Sequence, residues 1–241
     1  MITYKGRQIP QTLAEIIDPR HTALLVHEMI NDTVSVGGEL DKFDKRMDIS
    51  GMIGNVKEFL SAARQSGVRV VYARMTRYPD YGTYSDPMIL KAYPQIEDPT
   101  KQVTYLVGIK GSWGWQVIDE LRPEPGDLVV DKYRVNSFIN TPLELLLRSN
   151  GIRTIVILGV GAEAGIVPTV THAENLGFFV VAVEDCILPV DHSWRDAAFK
   201  FISRFSLLAT SSEISSIWKS FRMNAATTIK VKLTQKQEGE P

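Results

Sequence analysis

Ionisable residues recur where short apolar runs of this chain stop. "TALLV" (22–26) is followed by His27 and Glu28, and "RVVYA" (69–73) by Arg74 and Arg77. "DLVV" (127–130) is followed by Asp131 and Lys132, and "FFVVAV" (178–183) by Glu184, Asp185 and Cys186. The exception is "TIVIL" (154–158), which runs into Gly161-Ala162-Glu163-Ala164-Gly165 and so carries no Ser, Cys, Thr or Lys. A carboxylate ending an apolar run is costly unless a cation meets it, and Lys132 is the natural partner of Glu28. The pair reads equally as a structural ion pair and as an acid or base tuned by its neighbour. In the glycine turn, Gly161, Ala162 and Gly165 let backbone approach a ligand, and the amides opening the next helix favour negative charge. The same turn also reads as close packing of helix on strand, with Glu163 as a first-turn acid on the helix dipole.

Other candidates are weaker. Cys186, the single thiol, stands behind two acids that raise a thiol pKa, so an inert and dispensable structural cysteine is expected. His172 and His192 lack the grouping of metal ligands, and no metal or other cofactor is expected. "GSWGWQV" (111–117) sets two Trp beside two Gly, as a pocket wall or a helix start. Trp113 and Arg74 join Gly161, Ala162 and Gly165 as substrate-binding candidates.

The five runs are apolar on both faces, as strands of a buried parallel sheet are. Amphipathic segments lie between them. Residues 49–67 place Ile53, Val56, Phe59, Leu60 and Ala63 at helical spacing and end at Gly67. Residues 141–151 have Thr141 as N-cap and Pro142 at the first helical position. Further helices are expected over 163–175 and 194–204. This alternation predicts one doubly wound α/β domain, over 1–221, whose ligands sit beyond the carboxyl ends of the strands. The long loop 75–112 reads as a lid or pocket wall. In the polar tail 222–241, "TTIKVKL" alternates like an edge strand and "TQKQEGEP" reads as disordered.

With 241 residues, 44% hydrophobic, 23% charged and a net charge of −1, the composition is globular and demands neither nucleic acid nor an anionic membrane. No secretory leader or membrane span is expected, and a cytoplasmic location follows. The expected partners are a small-molecule substrate and further copies of the chain in a dimer or tetramer.

"TALLVHEMIND", "GSWGWQVIDELRPEPGDLVVDKYRVNSF" and "LLLRSNGIRTIVILGVGAEAGIVPTVTHAENLGFFVVAVEDC" together resemble the isochorismatase-like, or cysteine hydrolase, superfamily over roughly residues 8 to 215. The resemblance implies a six-stranded parallel sheet with helices on both faces. Amidases of that family use an Asp–Lys–Cys triad. Glu28 stands at the Asp position, Lys132 at the Lys position and Gly165 at the Cys position, so two of the three are changed. Isochorismatases proper also lack the Cys, and "VHEM" resembles their first-strand motif. The metal set of nicotinamidases is absent.

Two readings follow. One is a hydrolase working without cysteine, with Glu28 moving a proton beside Lys132, the turn 161–165 holding an anion, and substrate filling the space left by the Cys side chain. It would act on a small molecule bearing a carboxylate, carbonyl or enol ether. The other is an inactive relative that binds or assembles. The resemblance also implies a sharp kink, even a cis bond, at Val160–Gly161.

Overall fold

A computed structural model describes residues 1–80, 82–88 and 107–238. Half of the expected loop 75–112 thus lies outside the described residues. The chain opens with a hairpin, β1 (Ile2–Tyr4) and β2 (Arg7–Ile9). Its turn is Lys5-Gly6, with φ of 47° and 76°, the pair of positive values that a two-residue hairpin requires. Helix α1 (Leu13–Ile16) follows, its Thr12 and Glu15 forming a capping box.

The main sheet is built from β3 (Thr22–His27), β4 (Arg69–Met75), β5 (Leu128–Lys132), β6 (Thr154–Val160), β7 (Phe179–Leu188) and β8 (Leu207–Ala209). Its order is β5-β4-β3-β6-β7-β8 and every pairing is parallel. Crossovers use α3 (Ile53–Gln65), α4 (Leu143–Ser149), α5 (Val167–Asn175) and α6 (Arg195–Phe205), and a short α2 (Asn31–Val34) follows β3. Two apolar clusters, one on each face, bury the centre of the sheet, which is why β3 and β6 contain no exposed residue. This is the doubly wound six-stranded architecture that the alternation and the resemblance imply.

The expected edge strand in the tail is not formed. Helix α7 runs from Ser211 to Glu238 and takes "TTIKVKL" with it, crossing position 222 without a break. Extending an existing helix adds a hydrogen bond for each residue fixed, with no new nucleation. The free edges of the sheet are β5 and β8. Helix α7 also contributes to the core. Trp218 is fully buried, stacks on Phe59 of α3 at 5.1 Å, and donates its indole N–H to the Ile17 carbonyl at 2.9 Å.

Trp218→Phe keeps the stack and orphans that carbonyl. It should therefore destabilise the whole domain, by about 1–3 kcal/mol, in urea unfolding. A midpoint unchanged from the parent would show that α7 is an appendage.

Candidate functional site

Where β3 ends, the chain turns out of the sheet through Glu28. Its φ of +54° is the left-handed conformation that a non-glycine residue adopts only under constraint. The constraint is visible. Its N–H donates to the Ala73 carbonyl at 2.9 Å, and its own carbonyl accepts from Ile30 N at 2.9 Å and Thr33 Oγ1 at 2.7 Å. The following residues are sewn to segment 108–116. Asn31 donates to the Gln116 and Trp113 carbonyls, and the Asp32 carboxylate accepts from Gly108 N and Glu39 N. Gly114 has to be glycine, because a Cβ there would occupy the Asp32 carboxylate. "GSWGWQV" is thus not a helix start but the other half of this clamp.

Lys132, at the end of β5, forms an ion pair with Glu28 Oε1 and has no exposed surface. Its ammonium also donates to the Arg134 carbonyl at 3.2 Å and the Val135 carbonyl at 3.1 Å. The two strands are separated only by β4. Burial alone would raise the Glu28 carboxyl. The Lys132 ammonium, followed by His27 and Arg77, outweighs burial and holds it below the ordinary carboxylate value. Burial presses Lys132 downward, against the raising charge of Glu28. With a carboxylate and two carbonyls around it, the ammonium stays charged at neutral pH. Glu28 Oε2 makes no hydrogen bond among the described residues and faces the turn, 3.8 Å from where a Cβ of Gly161 would stand.

His27 is fully buried between this pair and the glycine turn. Its Nδ1 meets the Val160 carbonyl at 2.9 Å, which makes Nδ1 the protonated nitrogen of the neutral ring, and Nε2 has no partner. Burial first, then the Lys132 charge, pushes its pKa down to about 4. A Cβ at Gly165 would overlap the ring, lying 2.8 Å from Nε2 and closer still to Cε1. The space expected to admit substrate at this position is therefore filled by His27. Gly159, opposite His27 in the ladder, is likewise required, since a Cβ would run into the His27 backbone.

The turn itself carries no cis bond, and the kink expected at Val160–Gly161 is made by Gly161 at φ 82°. The Gly161 amide donates to the Leu188 carbonyl at 2.8 Å, and the Gly165 and Ile166 amides return to the Gly161 carbonyl at 2.8 and 3.0 Å. Among the described residues the amides of Ala162, Glu163 and Ala164 meet no acceptor, so these three remain for an anion. Glu163 does not serve its own helix but accepts from Val190 N and Asp191 N, tying down the loop after β7.

Glu28, Lys132, Gly161, Ala162 and Gly165 are thus brought together, with His27 among them. Arg74 and Trp113 are not. Arg74 pairs with Asp131 at 2.8 Å and lies 3.4 Å over the Trp115 ring, and strand alternation sends it to the face opposite Lys132. Trp113 is exposed, and it is Trp115 that is anchored, by donating to Thr76 Oγ1. Arg77, which adds positive charge near both Glu28 and Lys132, belongs to the site although only its place after a strand pointed to it. Its guanidinium donates to the Tyr133 carbonyl at 3.1 Å. Cys186 is buried, and burial with the nearby Asp185 raises its thiol to about 12. Among the described residues no cluster of His, Cys, Asp and Glu could hold a metal, and no helix is long and apolar enough to cross a membrane.

The isochorismatase domain family matches residues 22–213. The chain is 36% identical over 176 residues to the ureidoacrylate amidohydrolase RutB of Enterobacter sp. (strain 638), covering 69% of this chain and 75% of that one. Among solved structures, a cysteine hydrolase from Pseudomonas syringae pv. phaseolicola superposes with a TM-score of 0.73 at 20% identity, over 86% of this chain and 96% of that one. The N-carbamoylsarcosine amidase of Thermoplasma acidophilum does so at 0.60 with 26% identity, over 79% and 96%.

Two outcomes follow from the placement of His27. Gly165→Ala should cost about 1–3 kcal/mol by overpacking. In a His27→Ala background the same methyl should cost much less, and additive effects in urea denaturation would show that ring and methyl do not compete. The second outcome concerns pH. The folded chain binds the His27 proton less readily than the unfolded chain, whose imidazole titrates near its ordinary 6.5. The stability this ring contributes is complete above that value and falls as pH drops towards 4, by about 3 kcal/mol. His27→Phe should flatten the stability profile between pH 6.5 and the carboxylate range, and an unaltered slope would place the titration elsewhere.

Proposed function

The chain belongs to the isochorismatase family, and from that premise we propose that it hydrolyses a small polar carbonyl compound by acid–base chemistry at Glu28, without a covalent intermediate. The enzyme class rests on the family, and the chain is an isochorismatase-like hydrolase. The observation that carries the mechanism is the ion pair of Glu28 with fully buried Lys132, set beside a position 165 that His27 closes to any side chain.

No nucleophilic side chain fits at position 165, so water is the attacking group. Glu28 is ionised, which makes it a base in the resting state. Oε1 is committed to Lys132, and Oε2 is the oxygen that accepts a proton from water. The hydroxide adds to the carbonyl carbon, and the oxyanion forms near the amides of Ala162, Glu163 and Ala164. When the carbon–nitrogen bond breaks, Glu28 returns its proton to the leaving nitrogen. The lowered pKa makes Glu28 a weak base, a loss that holding water against the carbon offsets. An amide or ureide carrying a carboxylate is the substrate class we favour, since relatives are named ureidoacrylate amidohydrolases. The pair and the turn form the reacting centre. Arg74 and Trp113 stand outside it.

Glu28→Gln should lower kcat by about 10²-fold or more. That variant leaves Lys132 without a counter-charge, so its loss has to be compared with Glu28→Gln/Lys132→Met, which buries no unpaired charge. Both should be inactive, the second in a fully folded protein by circular dichroism. Full turnover in the folded double variant would refute the mechanism. Absence of turnover by the parent on amides, ureides and vinyl ethers, with tight binding of one of them, would establish instead the binding protein that kept the fold.

A further inference from the structure

At the opposite, amino end of the sheet lies a cavity of about 350 Å³ that the proposed reaction does not use. Three arginines from three separate elements line it. Arg7 comes from β2, Arg148 from α4, and Arg153 from the residue before β6. His21, just before β3, and Phe179, which opens β7, complete its inner wall. The strand starts make the convergence rigid. The Arg153 amide donates to the His21 carbonyl at 2.8 Å, and the Arg153 carbonyl accepts from Phe179 N at 2.9 Å.

The charges here are not balanced locally. Glu15 is the single carboxylate lining the cavity, and its Oε2 is engaged by the Gln11 and Thr12 amides of the α1 capping box. Arg148 is held in place, 4.0 Å over the Phe178 ring and donating to the Leu176 carbonyl, with Glu144 at 3.5 Å outside the cavity. The side chains of Arg7 and Arg153 have no hydrogen-bond or ion-pair partner among the described residues. His21 Nδ1 is buried within the wall and has no hydrogen-bond partner among the described residues.

We infer that this cavity binds a small organic phosphate. The guanidinium forks of Arg7 and Arg153 take the phosphate oxygens. Phe179 and the neighbouring Ile9 and Ile16 receive a flat apolar body. The volume suits a molecule of nucleotide-fragment size rather than a bare ion.

The test is calorimetric titration of the full chain with AMP, adenosine and inorganic phosphate at low salt, repeated on Arg7→Gln and Arg153→Gln. Both positions are exposed and far from Glu28, so the variants should fold. AMP should bind at least about tenfold more tightly than either adenosine or phosphate, and each variant should weaken it by about tenfold or more. Phosphate binding as tightly as AMP would reduce the cavity to a bare anion site and overturn the inference. So would an absence of AMP binding, or AMP binding that survives undiminished in both variants.

Discussion

Lys132 carries a full charge with no exposed surface, and much of the local architecture answers that charge. One carboxylate and two backbone carbonyls surround it. The carbonyls come for little cost, because the chain leaving β5 folds back over its own ammonium. The carboxylate has to be brought from a strand two places away. It arrives because Glu28 adopts a left-handed conformation held by the Ala73 carbonyl on one side and by Thr33 on the other. Breaking such a pair by removing one partner costs roughly 3–5 kcal/mol, more than the strain of one left-handed residue. The strain is therefore retained, and it extends the constraint to α2 and to the 108–116 clamp that hold the turn in place.

The sheet was legible because its signal is local and redundant. Five apolar runs, four of them with a helical segment after them, predict parallel strands. β8 is only three residues long and partly exposed, and no apolar run announces it. The hairpin at Lys5-Gly6 gives no such signal, because each of its strands has only three residues. Helix α7 is illegible for the opposite reason. "TTIKVKL" has a strand's alternation, but what precedes it is a helix already anchored by Trp218, and context decided where local preference was ambiguous.

At the site, pairing was readable and volume was not. An acid and a lysine at two strand ends invite each other on electrostatic grounds, and register supplies the rest. Arg74 and Asp131 do the same one residue earlier and leave the sheet on the other face, so position after a strand is by itself an incomplete guide. That His27 fills the space at Gly165 could not be read from either residue alone. A histidine closing a strand and a glycine opening a helix, more than 130 positions apart, become one feature only when the chain is folded.

That feature bears on how chemistry can change on a constant fold. A side chain at 165 and an imidazole at 27 claim the same volume, so a nucleophile in the turn requires a smaller residue at the end of β3. The converse also holds, since once His27 occupies the space, glycine is the residue that fits. The imidazole is neutral because burial and Lys132 both oppose its proton, and Lys132 keeps its charge because Glu28 answers it. The three groups therefore cannot be exchanged singly. Restoring a thiol at 165 alone would add a clash, and removing His27 alone would leave a cavity beside a buried ion pair, open to water. A shift between covalent and direct water attack is thus a joint change at the end of β3 and the start of α5. The pair at Glu28 and Lys132 can stay in place through it.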